Sequence, residues 1–465
     1  MVFSSFSFLL LFLPLVILVN RWLSLTWSNM FLFLMSLLFY FLGEGPLVGL
    51  LIASITWNYL IALGLDKSYQ LPRKPLVTLG ITGNLLLLGY YKYFIFLLES
   101  LGLESFATAY SPILLPIGIS FFTFQGISYL IDVYRQGHPP EKSYVKLGLY
   151  ISFFPQLIAG PIVKYKDLVT YLSDRRMTTD DIYSGSQRFI RGLAKKILIA
   201  DQLALVADQI FASDTATLPC SLAWLGVLVY ALQIYYDFSG YTDMAIGMGK
   251  MLGVKIPENF NHPYIAKSVR EFWQRWHISL SSWFKDYLYV PLGGNRISAN
   301  RTYINLLIVF FLTGLWHGAS FSFILWGLLH GFFMIMERIF SSFFSKWPAW
   351  LSHLYLIIVV GLLWILFRIE SYSEALTYFK RLFIAPQETE GIAWIHINPY
   401  VFFVIAIGLL FSVPIRQNIS TLISTKIKSP QQLALLSSAT ALCLLVVTIS
   451  QMTVSTYSPF IYFRF

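Results

Sequence analysis

An all-α, polytopic membrane protein is the fold class that this 465-residue sequence predicts, and three observations predict it. Hydrophobic residues make up 57% of the chain and charged residues only 12%, against about 25% charged in a soluble domain. The apolar residues fall in long runs, and a helical membrane span needs about 20 of them. Between the runs no polar stretch is long enough to fold separately, so residues 1–465 are expected to form a single domain.

The sequence contains roughly a dozen apolar runs. They lie near Phe6–Val19, Met30–Leu42, Leu47–Leu63, Leu76–Leu98, Ile113–Ile131, Leu147–Val163, Phe189–Phe211, Leu222–Ile234, Ile304–Met336, Leu354–Phe367, Val401–Val413 and Leu433–Ile449. Several are too short to cross alone, so broken, tilted or re-entrant segments are expected. The N-terminus lacks a basic n-region and a small-x-small cleavage site before Arg21 and reads as a retained first span.

The net charge is +10. In so apolar a chain this fits basic cytoplasmic loops that hold topology and meet anionic lipid headgroups, so no nucleic-acid partner is expected. The two cysteines, Cys220 and Cys443, lie in or beside apolar runs and offer neither a disulfide framework nor metal spacing.

Met1 to Ser100 alternates apolar runs with short turns such as Gly43-Glu-Gly-Pro46. Pro112 and Pro116 bracket a helix start before Phe121–Gln125, and Pro139-Pro140 stiffens the loop from Tyr134 to Lys146. Phe153-Phe-Pro-Gln-Leu-Ile-Ala-Gly-Pro161 interrupts an apolar segment with two prolines and a glycine. It is either an interfacial turn or irregular backbone at membrane depth, satisfied by protein or a cavity. Arg188, Arg191, Lys195 and Lys196 precede the apolar Ile197–Ala200, a pattern that suits a cytoplasmic anchor. Asp237-Phe-Ser-Gly-Tyr-Thr-Asp243 breaks another apolar stretch; its carboxylates, costly within a span unless paired, either face a polar interior cavity or cap and pin helix ends, and the capping reading is favoured. The longest late loop runs from Pro386 to Tyr400.

The chemistry concentrates between Asn259 and Met336. Ile304 to Met336 contains no Asp, Glu, Lys or Arg. As one straight helix it would measure ~50 Å, beyond a hydrocarbon core of about 30 Å. It should therefore break, most easily at Gly318-Ala-Ser-Phe-Ser322, which puts His317 at a helix end and still at membrane depth. Gly314/Gly318 and Gly327/Gly331 have the spacing that lets helices approach closely. Two readings of His317 stand: a neutral base that accepts a proton from a hydroxyl, or a histidine that hydrogen-bonds between helices. For His330 only the second has support, while His353 and His396, near segment ends, suggest nothing. Trp273, Trp276, Leu280, Trp283 and Tyr287 recur at three and four residues among Arg270, Glu271, Arg275, Lys285 and Asp286. They predict an amphipathic interfacial helix with its aromatic side toward lipid or protein. His277 on it is either a second site residue or a surface histidine. No phosphate-binding glycine loop, HExxH helix, CxxC pair or GxSxG elbow is present.

The stretches Asn259-Phe-Asn-His-Pro-Tyr264, Glu271-Phe-Trp-Gln-Arg-Trp-His-Ile-Ser-Leu280, Asp286–Gly294 and Leu315-Trp-His-Gly318 together resemble the membrane-bound O-acyltransferases, in particular their bacterial polysaccharide-acetylating branch. The resemblance extends to Pro155–Pro161, Asp237–Gly247, Met1–Ser5 and Phe460–Phe465. It implies a ring of transmembrane helices around a central tunnel. It implies that His317 is catalytic and that His277 is a second important site residue. Asn259, Arg275, Trp276, Ser279, Asp286 and Trp316, within the same motifs, are expected to bind substrate or line the tunnel.

The implied activity moves an acyl group, usually acetyl, from an acyl thioester such as acetyl-CoA toward a cell-envelope or exported polysaccharide. Transfer is direct or through a periplasmic acetyltransferase partner, in the bacterial inner membrane, with no tightly bound cofactor and no metal. D-alanyl transfer to teichoic acid and a non-enzymatic transporter or flippase are the alternatives. From Ala266 to Arg301, Lys267, Arg270, Arg275, Lys285, Arg296 and Arg301 face only Glu271 and Asp286, which predicts a cytoplasmic segment. The donor is then expected to enter past Trp276 and His277 and reach His317, with the acceptor approaching from the opposite face.

Overall fold

A computed structural model describes residues 2–110, 113–135, 137–385, 398–427, 429–454 and 460. Pro112, His396, nearly all of the late loop 386–400 and the closing residues 461–465 lie outside the described residues. The secondary structure is helical, with no strand among the described residues. Among the described residues, five stretches are long and apolar enough to cross a membrane: Leu25–Gly64, Arg73–Ser100, Phe321–Ile339, Ala349–Arg368 and Pro430–Val454. Phe8–Trp22 and Pro399–Ser412 are shorter apolar helices. The chain is therefore a multi-pass membrane protein. Leu10, Leu11, Leu18, Leu86, Leu435, Leu442 and Val446 are bare on its helices, as side chains that meet lipid should be.

The chain divides into two compact units, Met1–Phe189 with Tyr241–Glu258, and Ile190–Gly240 with Asn259–Phe465.

In the first unit, the 40-residue stretch Leu25–Gly64 is divided at Gly45, which takes φ +58° ahead of Pro46. Only glycine enters that backbone region without strain, and proline cannot continue a helix. Apolar helices are tied by amides: Asn58 and Asn84, both buried, exchange hydrogen bonds of 3.1 and 2.9 Å. Such pairs hold helices together where no water competes. The irregular stretch from Phe153 to Pro161 is buried throughout, and Phe154 N–H donates to Ser36 Oγ at 3.2 Å. Of the two readings of that stretch, backbone satisfied inside protein is the one observed. Arg188 reaches Asp243 at 2.8 Å and Glu258 at 2.5 Å.

The second unit contains most of helix α1 (Cys220–Met251), followed by α2 (Val269–Arg275), α3 (Ile278–Phe284), α4 (Ala299–His317), α5 (Phe321–Ile339) and α6 (Ala349–Arg368). Lys196 Nζ lies 2.7 Å from both Asp201 and Asp237, and all three are buried. These contacts correct two expectations. Asp237 and Asp243 stand in the interior of α1, not at a helix end, and each is compensated by a base distant in sequence. Lys196 is no membrane-surface anchor, because a charge at that depth is stable only when paired.

Removing one member of a buried triad costs about 3–5 kcal/mol, whereas replacing all of it by apolar groups is close to neutral. Asp237→Ala should therefore lower the melting temperature in detergent sharply. Lys196→Met, Asp201→Leu and Asp237→Leu together should recover most of the loss. A single variant that melts like the wild type would contradict the structural role of the triad.

Candidate functional site

His317 is the last residue of α4. Gly318 follows in extended backbone, and Ser320 opens α5 by accepting Phe323 N–H at its Oγ, 3.4 Å away. The chain thus breaks where the glycine and serines predict. The two helices then lie back to back through glycine. A Cβ on Gly314 would stand 2.2 Å from Phe323 O, and one on Gly327 2.2 Å from Phe310 O. This contact admits no side chain, and it seats His317 within the protein at 1% exposure. Trp316, Trp326 and Phe367 surround its ring, with centroids 4.9, 5.1 and 5.2 Å away, all edge-on.

His277 arrives by a different local device. The amphipathic helix expected over Trp273–Tyr287 is in fact broken: α2 ends at Arg275, α3 begins at Ile278, and a π-helical turn, Lys285–Tyr289, follows. His277 joins α2 and α3 with φ +45°, a left-handed conformation that a residue with a Cβ adopts at a cost of about 1–3 kcal/mol. The turn is held from one strip of chain. Ile278 N–H donates to Asn259 O (3.0 Å), and Asn261 N–H donates to Arg275 O (2.9 Å). The aromatic stripe packs into protein, not lipid, with Trp273, Trp276, Leu280, Trp283 and Tyr287 all buried.

The His277 ring is fully buried, 4.7 Å from Phe238, 5.9 Å from Trp316 and 6.4 Å from His317 between centroids. Burial pushes its pKa down to about 3, so the imidazole is neutral at physiological pH. Its Nδ1 lies 3.2 Å from Asn259 Oδ1. The same oxygen accepts hydrogen bonds from Ser279 N–H at 3.1 Å and Ser279 Oγ at 2.8 Å. His277, His317, Asn259, Ser279 and Trp316 are therefore brought together.

The remaining expected residues lie around this group. Trp276 is buried against Phe272, Phe260 and Trp364 and forms the wall behind it. Arg275 pairs with Glu271 at 2.9 Å and donates to Asn261 O at 3.1 Å, so it braces the turn. Asp286 is half-buried in the π-helical turn, two helical turns beyond His277. His330 has the structural role expected of it: Trp273 Nε1–H donates to its Nδ1 at 3.2 Å. Phe238, Trp326 and Phe367 were missed: Phe238 lies in a stretch read for its carboxylates, and no period connects Trp326 or Phe367 to the histidines. Glu337, at the far end of α5, accepts Val269 N–H (2.6 Å) and Arg270 N–H (3.2 Å) at the start of α2.

A cavity of about 1200 Å³ opens between these helices. Exposed Lys267, Arg270, Lys285 and Arg338 line its outer part. Buried Trp273, Leu280, Phe310 and Thr313 line its inner part. Thr313 precedes His317 by one helical turn and Ser281, also on the lining, follows His277 by four residues. The cavity is thus lined by residues of the same helices that carry the histidines, with cations at its exposed part.

Residues 135–379 match the family model of the membrane-bound O-acyltransferase family. A probable alginate O-acetylase from Pseudomonas putida is 38% identical, covering 100% of this chain and 100% of that protein. A peptidoglycan O-acetyltransferase from Helicobacter pylori is 39% identical over 76% of this chain and 73% of its own. A teichoic acid D-alanyltransferase from Bacillus subtilis is 32% identical over 50% of this chain and 60% of its own.

The α4–α5 contact can be tested by itself. In Gly314→Ala the new methyl meets backbone, which cannot rotate away. Overpacking of this kind costs about 1–3 kcal/mol. Gly49→Ala, in the helix Val48–Gly64, meets nothing within 4 Å and should leave stability unchanged or slightly raised. Thermal unfolding of the two variants in detergent reads the difference, and equal melting would refute the close contact.

Proposed function

Because the chain belongs to the membrane-bound O-acyltransferase family and is an O-acyltransferase, we propose that it carries an acyl group, acetyl, from a cytoplasmic thioester to hydroxyls of a cell-envelope or exported polysaccharide. In this reading residues 1–465 work as one domain in the bacterial inner membrane. Its roughly dozen spans form a ring around a central tunnel, as the family resemblance implies. Transfer is direct or runs through a periplasmic acetyltransferase partner. Two of the relatives acetylate alginate or peptidoglycan by their names, which supports a polysaccharide acceptor and an acetyl group.

The observation that carries the reading is the pair of buried histidine rings, 6.4 Å apart, on helices that also line a cation-rimmed cavity. The hydroxyl oxygen attacks the thioester carbonyl carbon, and His317 takes the hydroxyl proton. The C–S bond then breaks, and the proton passes to the leaving thiolate. His277 is the second polar group at the reacting centre. Asn259, Ser279, Arg275, Trp276, Trp316 and Asp286 hold or line the site. Lys267, Arg270, Lys285 and Arg338 suit the phosphates of a donor such as acetyl-CoA, attracting negative charge to the cavity.

His317→Ala should lower transfer by about 10²–10⁴-fold with little change in melting temperature, and His277→Ala should cause a smaller loss. Ester-linked acetate and D-alanine on purified envelope glycan are both measured. Wild-type acetate in a folded His317→Ala variant would remove the general base. D-alanine esters in place of acetate would move the chain to the reading that its teichoic acid relative represents.

Sidedness has its own test. Asn300 is exposed at the start of α4, beside the basic segment whose charge bias favours the cytoplasmic face. With Cys220→Ser and Cys443→Ser as background, Asn300→Cys should resist an impermeant thiol reagent in cells whose outer membrane is opened. It should react once the inner membrane is permeabilised. Efficient labelling before that step would reverse the orientation and the donor route.

A further inference from the structure

Three groups converge on a single oxygen, Asn259 Oδ1: Ser279 N–H and Ser279 Oγ donate to it, and His277 Nδ1 lies beside them. Asn259, Ser279 and His277 are all buried. The backbone N–H of Ser279 can only donate, so the amide atom that faces it at 3.1 Å is the oxygen and not the nitrogen. An amide oxygen carries no hydrogen. Its 3.2 Å contact with His277 Nδ1 is a hydrogen bond only when Nδ1 bears the proton. A neutral imidazole has one N–H, so Nε2 then carries the lone pair. Burial keeps the ring neutral, as described above. The backbone supports the same arrangement, because the carbonyl of Asn259 also holds Ile278 N–H at 3.0 Å. One asparagine therefore grips the histidine turn at both its main chain and its ring.

We propose that Asn259 is a positioning residue that fixes the proton of His277 on Nδ1, so that His277 meets its substrate as a hydrogen-bond acceptor through Nε2. The proposal rests on His277 belonging to the acyl-transfer site. It assigns a direction to that residue's chemistry. Nε2 has no hydrogen to give to the thioester carbonyl, so His277 cannot polarise the carbonyl as a donor. It can face only a group that bears hydrogen, which in this reaction is the hydroxyl to be acylated or the thiol set free. Stabilisation of the carbonyl oxygen must come from other donors.

Turnover of the full-length protein in detergent tests this with acetyl-CoA and a soluble polysaccharide acceptor. Asn259→Leu removes the acceptor oxygen and frees the tautomer. kcat should fall roughly 10²-fold with KM for acetyl-CoA little changed. Asn259→Asp keeps an acceptor for both Ser279 N–H and His277 Nδ1–H and should recover kcat to within about tenfold. Its carboxylate also favours the imidazolium, so the acidic limb of the kcat–pH profile should move to higher pH. His317, the neighbouring titratable ring, is unaltered in this variant. An asparagine beside a histidine that takes no part in the proton chemistry would produce no such shift. Asn259→Leu with wild-type kcat would overturn the proposal, as would Asn259→Asp with an unmoved acidic limb. If Asn259→Leu fails to fold, the pH profile of Asn259→Asp still decides. His277→Gln separates the two levels of inference. Wild-type turnover in that variant removes His277 from the site altogether, whereas its loss beside an active Asn259→Leu removes the tautomer assignment alone.

Discussion

Every polar group buried among apolar helices must find its partner within the chain, and the structure is arranged around that demand. Asn58 meets Asn84, Lys196 meets two aspartates, Arg188 meets two acids, and Trp273 meets His330. These contacts join segments far apart in sequence, so they define packing that apolar surface alone leaves degenerate. At the candidate site the same demand is met at His277. His277 is tolerable in the interior because it is neutral and because Asn259 faces its Nδ1.

Two local devices then place the two histidines. His317 depends on the absence of side chains at Gly314 and Gly327, which lets two helix backbones touch. His277 depends on a strained, left-handed residue between two short helices, held by backbone bonds from Asn259 and Asn261. Neither device involves a flexible loop. The rings are consequently positioned by main-chain geometry, which suits a site whose reacting atoms must be aligned closely.

Part of this was legible in the sequence. The apolar runs and low charge predict a helical membrane protein, and the helix break after His317 follows from an uncharged run too long for a bilayer with glycine and serine at its middle. The small-residue spacing likewise foretells the α4–α5 contact. Other features depend on distant residues and leave no local trace. Asp237 and Asp243 look like caps because their partners, Lys196 and Arg188, lie some 40 to 55 residues away. The break at His277 is hidden because the stripe from Trp273 to Tyr287 keeps helical spacing across it, and the residue there is not glycine or asparagine. The direction in which the stripe faces is hidden for a related reason: the same period marks a face toward lipid and a face toward protein.

Helix α5 touches the rest of the second unit at Trp326, His330 and Glu337, positions that lie along one stripe of its surface. The first faces His317, the second receives Trp273, and the third caps α2. Adding or deleting one residue between Trp326 and Glu337 would rotate one end of that stripe against the other by about 100°. No register could then serve all three. This helix can diverge freely on its lipid side, yet its length between those points is closed to insertion and deletion.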